Sequence, residues 1–178
     1  MEWNVVVSIY QEGFRRVVRA LRDLGSVERT KYHNVIVVAA EDPLALLERI
    51  EEKTRAEPAL YDAISRVAPA MQCFDFHSAA EFEEKATAAV LRWLPRLAGR
   101  AFHVRWRRRG FGHELSSPDA EERLGEALLY GLERNGTPGS ISFSDPDAVI
   151  AIDSVDNRVG LAIWTREDLS HYKMLRPG

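Results

Sequence analysis

Apolar and polar positions follow two different periods along the chain, and the places where the period changes mark the elements. Asn4 to Tyr10 (NVVVSIY) is a β-branched run that predicts a buried strand, and Phe14, Val17, Val18, Leu21 and Leu24 then recur at helical spacing. Gly25 stands where a left-handed residue would close that helix. Val27 to Tyr32 and Val35 to Ala39 predict two strands about a His33-Asn34 turn. Asp42 and Pro43 supply a cap and a first helical position for a second helix carrying Leu44, Leu47 and Ile50, and Val67 to Phe76 predicts a last strand. The order is βαββαβ. It is the ferredoxin-like pattern, a sheet with two helices on one face, expected over residues 1–77.

The second half starts with Phe82, Ala86, Ala89, Val90, Trp93, Leu94 and Leu97, the apolar stripe of a long amphipathic helix ended by Gly99. From Ala101 to Arg107 the period becomes two. Phe102, Val104 and Trp106 alternate with His103, Arg105 and Arg107, so a strand here sends the apolar set to the core and the basic set to the opposite, outward face. Ser117 and Pro118 read as N-cap and first position of a helix to about Arg134, with Asp119, Glu121 and Glu122 complementing its dipole. Asn135-Gly136 and Pro138-Gly139 punctuate the chain. Ser140 to Phe143, Val149 to Val155 and Val159 to Trp164 predict further strands, the last two joined by an Asp156-Asn157 turn. The expected fold class is α+β, a ferredoxin-like domain over 1–77 followed by an α/β domain over 78–178.

Composition narrows the picture. With 46% hydrophobic and 29% charged residues, the 178-residue chain is an ordinary globular protein, long enough to bury a core without staples. The one cysteine, Cys73, rules out a disulfide framework or a multi-cysteine zinc site, fits a reducing compartment, and reads as core filler. The N-terminus lacks the features of a signal peptide, and no apolar run approaches the roughly 18 residues that span a bilayer. A cytoplasmic protein with no membrane partner is expected. The net charge of −3 is unevenly spread: Lys85 to His113 contains no Asp or Glu, yet holds Arg92, Arg96, Arg100, Arg105, Arg107, Arg108 and Arg109.

Several segments, in order, resemble the THUMP domain, an RNA-binding module of tRNA modification systems. They are FHVRWRRRG at Phe102 to Gly110, His113 with Ser116-Ser117, the helix containing Leu124-Gly125-Glu126, and SFSDPDAVIAIDSVDNRVGLAI from Ser142 to Ile163. The closing HYKMLRP, His171 to Pro177, is similar to the tail of the stand-alone branch that assists tRNA acetylation. The resemblance implies a THUMP-like domain over 78–178, a preceding ferredoxin-like domain, and tRNA held in its acceptor-stem region. Members that are enzymes carry a catalytic domain after the THUMP domain, where this sequence ends. The resemblance thus implies a separate tRNA-modifying enzyme as partner.

The candidate RNA-binding residues are Arg105, Arg107, Arg108, Arg109, Gly110, Phe111, His113, Lys173 and Arg176. Guanidinium groups make bidentate, permanently charged contacts to phosphate, and a cluster multiplies counterion release. Phe111, in a Gly110-Phe111-Gly112 loop, either stacks on an unpaired base or belongs to an ordinary turn. Leu115 occupies the third glycine position of a dinucleotide fingerprint, which removes that reading. Lys173 and Arg176, beside His171, either continue the surface or lie in a frayed terminus. Arg15, Arg16, Arg19 and Arg22 form the outer face of the first helix and read as a solvated face. No nucleophile beside a base, paired-carboxylate cleft or metal-ligand spacing is recognisable, and Asp145 and Asp147 read as caps of a turn. No catalytic residue, metal or cofactor is therefore expected. The function expected is a non-catalytic tRNA-binding adapter that presents tRNA to an enzyme on another chain. The alternatives are a subunit or fragment of a modifying enzyme with an unrecognised active site, or a protein-interaction module.

Overall fold

A computed structural model describes residues 1–177, in which strand pairing builds two separate sheets with helices connecting their strands. One unit consists of residues 1–71 together with the chain from Leu169 onward, and the other is the continuous stretch 72–168. Both are α+β.

The first unit runs β1 (Val5–Ile9), a 3-10 turn (Gln11–Gly13), α1 (Phe14–Arg22), β2 (Ser26–Arg29), β3 (Val35–Ala39), α2 (Pro43–Ala56), α3 (Pro58–Ala63) and β4 (Ile64–Pro69). Its sheet order is β2-β3-β1-β4, with every neighbouring pair antiparallel. β1 lies inside this sheet with Val5, Val6 and Val7 all buried, which accounts for a β-branched run in place of an alternating one. Asn4 pins its start: the side chain donates to the Ala40 carbonyl at 2.7 Å and accepts the Ala40 N–H at 2.9 Å. The Asp42 carboxylate accepts the N–H groups of Leu44 and Ala45 at 3.0 and 3.1 Å, the expected cap of α2. Gly25 departs from expectation, because its backbone is not left-handed. Its small size serves proximity instead, as a Cβ there would stand 3.0 Å from the Ala39 carbonyl oxygen.

The C-terminal residues complete this unit. Val67 N–H donates to the Met174 carbonyl at 2.8 Å, and Arg66 Nε to the Leu175 carbonyl at 3.0 Å. Met174 N–H in turn donates to Glu51 Oε1 at 2.9 Å, and the Tyr172 hydroxyl to Glu48. Met174 and Leu175 are 0% and 1% exposed. The tail is therefore a buried strap along β4 and not a frayed end.

The second unit runs β5 (Gln72–Asp75), α4 (Ala79–Leu91), α5 (Leu94–Leu97), β6 (Ala101–Arg107), α6 (Ser117–Arg134), β7 (Ser140–Ile141), β8 (Ala148–Val155), β9 (Arg158–Thr165) and α7 (Arg166–His171), whose last residues pass into the strap. The sheet order is β5-β9-β8-β6-β7, with β6 parallel to β7 and β8 and the other pairs antiparallel.

Four expectations need correction here. The strand foreseen over Val67 to Phe76 is two strands in different sheets: β4 ends at Pro69, which offers no N–H, and after Met71 the chain pairs with β9 as β5. The break thus falls near residue 71 instead of 77, and the tail foreseen with the second half packs in the first unit. The long helix ending at Gly99 is α4 plus a short α5, because Pro95 cannot continue the α4 hydrogen-bond ladder. The N-cap of α6 is Ser116, whose hydroxyl accepts the Asp119 N–H, so Ser117 is already helical.

Leu175→Ala empties a fully enclosed site in the first unit and should lower its stability by about 3 kcal/mol. Denaturant unfolding of the variant checks this, and a change under 0.5 kcal/mol, roughly the scatter of surface substitutions, would contradict a buried strap.

Candidate nucleic-acid interface

β6 is placed by its parallel register against β8, from Phe102 opposite Ala148 to Arg107 opposite Asp153. Phe102, Val104 and Trp106 are buried, and the Trp106 ring stacks on Phe82 of α4 at 4.4 Å between centroids, 12° from coplanar. The Trp106 indole N–H donates to Ser154 Oγ at 3.0 Å, so this large ring is satisfied as well as packed. The apolar half of the alternation holds as read.

The polar half needs correction. Only Arg105 is exposed; Arg107 is half-buried and His103 is 5% exposed. After β7 the chain turns over His103, whose Nδ1 lies 3.0 Å from the Ser142 carbonyl and whose ring sits 5.2 Å from that of Phe143. A histidine read as outward is thereby roofed by the segment that follows the short strand β7.

Beyond β6 the remaining cations are partly engaged by the protein. Arg108 donates from Nε to Ser117 Oγ at 3.2 Å and from Nη1 to the Gly110 carbonyl at 3.0 Å. Arg109 pairs with the buried carboxylate of Asp153 at 3.3 Å, the two side chains being 15% and 5% exposed. Gly110 and Phe111 both have positive φ, 102° and 54°. Phe111 packs on the buried ring of Phe76 at 4.7 Å, which ties the loop to the core of the unit. His113 is exposed beside a polar hollow of about 540 Å³ that also touches Arg108, Ser116, Ser117 and Arg123. Lys173 and Arg176 lie in the first unit, apart in the chain's organisation from the other seven. Lys173 is exposed, whereas Arg176 anchors the strap through the Ser65 carbonyl at 3.2 Å and the Tyr61 hydroxyl at 3.3 Å.

Past Phe102, β6 has β8 on one side and, among the described residues, no strand on the other, since β7 pairs only with Ala101 and Phe102. A groove of about 470 Å³ runs along this open edge beside α6, lined by Val104, Gly125, Leu129, Ile141 and Phe143 together with His103 and three glutamates. Phe143 is 74% exposed at its rim. Burial pushes the Glu121 carboxyl up from its ordinary value, against the opposing pull of the Trp106 backbone N–H, Arg105 and His103. Sequence reasoning missed this groove. The one available signal was an apolar Phe143 in a Ser-Asp-Pro turn where nothing of the core required it.

Asp145 and Asp147 are structural, in line with the sequence reading. Asp147 Oδ2 accepts the Ala101 N–H at 2.9 Å at the start of β6, and Arg166 bridges both aspartates. The Ala101 N–H, followed by the Arg166 guanidinium, holds the Asp147 carboxyl below its ordinary value. No group of three or more His, Cys, Asp or Glu side chains that could hold a metal occurs among the described residues, and none of their helices is long and apolar enough to cross a membrane.

No family model matches this sequence. A tRNA sulfurtransferase of Marinobacter nauticus is 33% identical over 94 residues, 53% of this chain and 18% of that protein. The fold is similar to that of PH1313 from Pyrococcus horikoshii Ot3, at TM-score 0.65 and 16% identity, over 90% of this chain and 53% of the other. It is similar also to a 4-thiouridine synthetase solved in complex with RNA and ATP, at TM-score 0.56 and 15% identity over 92% of this chain and 42% of that one. TrmN from Thermus thermophilus gives TM-score 0.51 and 18% identity over 90% and 44% of the two chains. The chain thus spans about half or less of these solved proteins and under a fifth of the sulfurtransferase.

Asp153→Ala removes the buried carboxylate that pairs with Arg109 and should destabilise the second unit by about 3 kcal/mol, read from its denaturation midpoint. Asp147 has a folded pKa below its unfolded one, so its contribution is present above about pH 4 and fades as pH falls through the folded value. Asp147→Asn should accordingly lower the melting temperature at pH 7 and narrow the gap between pH 7 and pH 3, as followed by circular dichroism.

Proposed function

We propose that the chain is a tRNA-binding module of the THUMP type, a ferredoxin-like unit joined to a THUMP-like unit, that presents tRNA to a modifying enzyme. The observation that carries this reading is the 33% identity over 94 residues to a tRNA sulfurtransferase. It is supported by the likeness of fold to a 4-thiouridine synthetase that was solved with RNA bound. The sheet order β2-β3-β1-β4, antiparallel throughout, supports the ferredoxin-like assignment of the first unit.

In the second unit, Arg105 supplies an exposed guanidinium on β6 and His113 an exposed imidazole on the following loop. Arg107 and Gly110 lie half-exposed between them. Arg108 and Arg109 shape this surface through their protein contacts. Phe111 braces the loop from within. Binding is by shape and backbone charge, and the chemistry belongs to a catalytic centre supplied by the partner enzyme. A second reading, that the module and a catalytic domain share one polypeptide, is favoured by the 18% share of the sulfurtransferase that the chain covers.

Arg105→Ala should weaken binding to unfractionated tRNA about three- to tenfold at moderate salt and lower the slope of log affinity against log salt by about 1. A gel-shift or filter-binding salt series measures both. Absence of tRNA binding by the wild-type protein at low salt would overturn the reading.

A further inference from the structure

Backbone direction sets what the open edge of β6 offers. In a strand the N–H and C=O of one residue point to the same side, and those of the next residue to the other. The Phe102 carbonyl accepts the Ser142 N–H at 2.9 Å on the β7 side, and the Trp106 N–H acts there on the Glu121 carboxyl. Val104 stands between them in the alternation, so its N–H and C=O face the same edge, along the groove that Val104 lines. An extended chain continuing in the line of β7, which stops opposite Phe102, meets Val104 next. His103 to Arg107 extends about 13 Å at strand rise, room to pair with about four or five residues.

The apolar surface beside this edge is left uncovered. Phe143 is the most exposed large apolar side chain among the described residues, and Ile141, next to it in the groove, is exposed too. Gly125 lies on the groove in the middle of α6, where glycine is the poorest helix former after proline. Packing does not call for it, because a Cβ there would lie 3.5 Å from Ile141 Cδ1, an ordinary contact. Gly131 of the same helix differs: a Cβ on it would come within 2.9 Å of Leu94 Cδ1. The glycine at 125 thus gives up helix stability and leaves the groove unfilled.

Charge selects the occupant. Glu121, Glu122 and Glu126 line the groove, and no Lys or Arg does. Glu122 and Glu126 are both exposed and stand four apart on α6, so they repel along one helix face until a cation comes between them. The same acids turn away the phosphates of RNA and of anionic lipid. An apolar trough with acidic walls and an unpaired strand edge suits a protein segment that is extended, partly apolar and basic.

We propose that this groove docks an extended segment of a partner protein, which pairs with Val104 as an added strand and alternates apolar side chains with Lys or Arg. Main-chain pairing supplies affinity, and alternate side chains supply selectivity. The apolar set packs on Phe143, Ile141 and Leu129, and the cationic set reaches Glu122 and Glu126. The inference goes beyond the tRNA-binding reading and stands without it. Where both hold, a modifying enzyme carrying such a segment is brought to the tRNA through this groove.

The test follows the isotope-labelled full chain by NMR as the synthetic peptide KVKVKVKVK is added, with EVEVEVEVE as the control. The resonances of Val104, Gly125 and Ile141 should shift and saturate, and the Val104 amide should exchange with solvent at least about tenfold more slowly in the bound state. The glutamate peptide should bind at least about tenfold more weakly. F143S, and separately E122Q with E126Q, should each weaken the lysine peptide about three- to tenfold. These side chains are on the surface, and circular dichroism establishes that both variants are folded. No shift at these residues with about 1 mM lysine peptide overturns the proposal. Equal affinity for the two peptides, or unchanged exchange at Val104, overturns it as well. A dimer that F143S dissociates would give the groove to a second copy of the chain, and loss of tRNA binding in F143S would give it to RNA; either result refutes a partner segment.

Discussion

Six consecutive residue pairs, Phe102 with Ala148 through Arg107 with Asp153, hold β6 parallel to β8, and the placement of the second unit's basic side chains follows from that register. Because successive residues of a strand point to opposite faces, fixing Trp106 over Phe82 also fixes where Arg105 and Arg107 emerge. A slip of one residue would bury the arginines beneath α4 and expose three large apolar side chains. The pairing is secured at both ends by charge. Asp147 receives the Ala101 N–H at the beginning, and Asp153 holds Arg109 just beyond the end. The basic surface is thus a by-product of a well-specified core strand.

The same strand leaves its outer edge open for five residues, His103 to Arg107, where an unpaired edge would ordinarily invite another chain. A side chain stands at that edge: the Glu121 carboxyl lies where the Trp106 backbone N–H pulls on it. Placing a carboxylate there also puts negative charge beside Arg105, so the groove and the exposed arginine have opposite characters.

The strands and helices were legible in the sequence wherever a helical period or an apolar, β-branched run continued without interruption, as in α1 and α6 and in β1, β3, β8 and β9. Legibility failed where the sequence carries no mark of a strand's partner. Nothing in the largely apolar stretch from Val67 to Phe76, which reads as one strand, says that its two ends join different sheets. Periodicity likewise foretold that Arg105 would be exposed but not that His103 would be roofed, because the roof comes from Ser142 and Phe143, some forty residues on. The arginine cluster was visible as composition. Its division into an exposed member and others already bound to Asp153, Ser117 or the Gly110 carbonyl depends on side-chain geometry that spacing cannot encode.

The strap formed by Tyr172 to Arg176 makes the first unit discontinuous in the chain, with the whole of the second unit, residues 72–168, inserted between its parts. A ribosome delivers residues in order, and domains tend to fold as they emerge. The inserted unit therefore has all its strands before the unit that begins the chain has its last buried side chains, Met174 and Leu175. Until they arrive, the outer edge of β4 and the buried charges of Glu51 and Arg66 have nothing of the strap to bond to. The part of the protein made first is the part finished last.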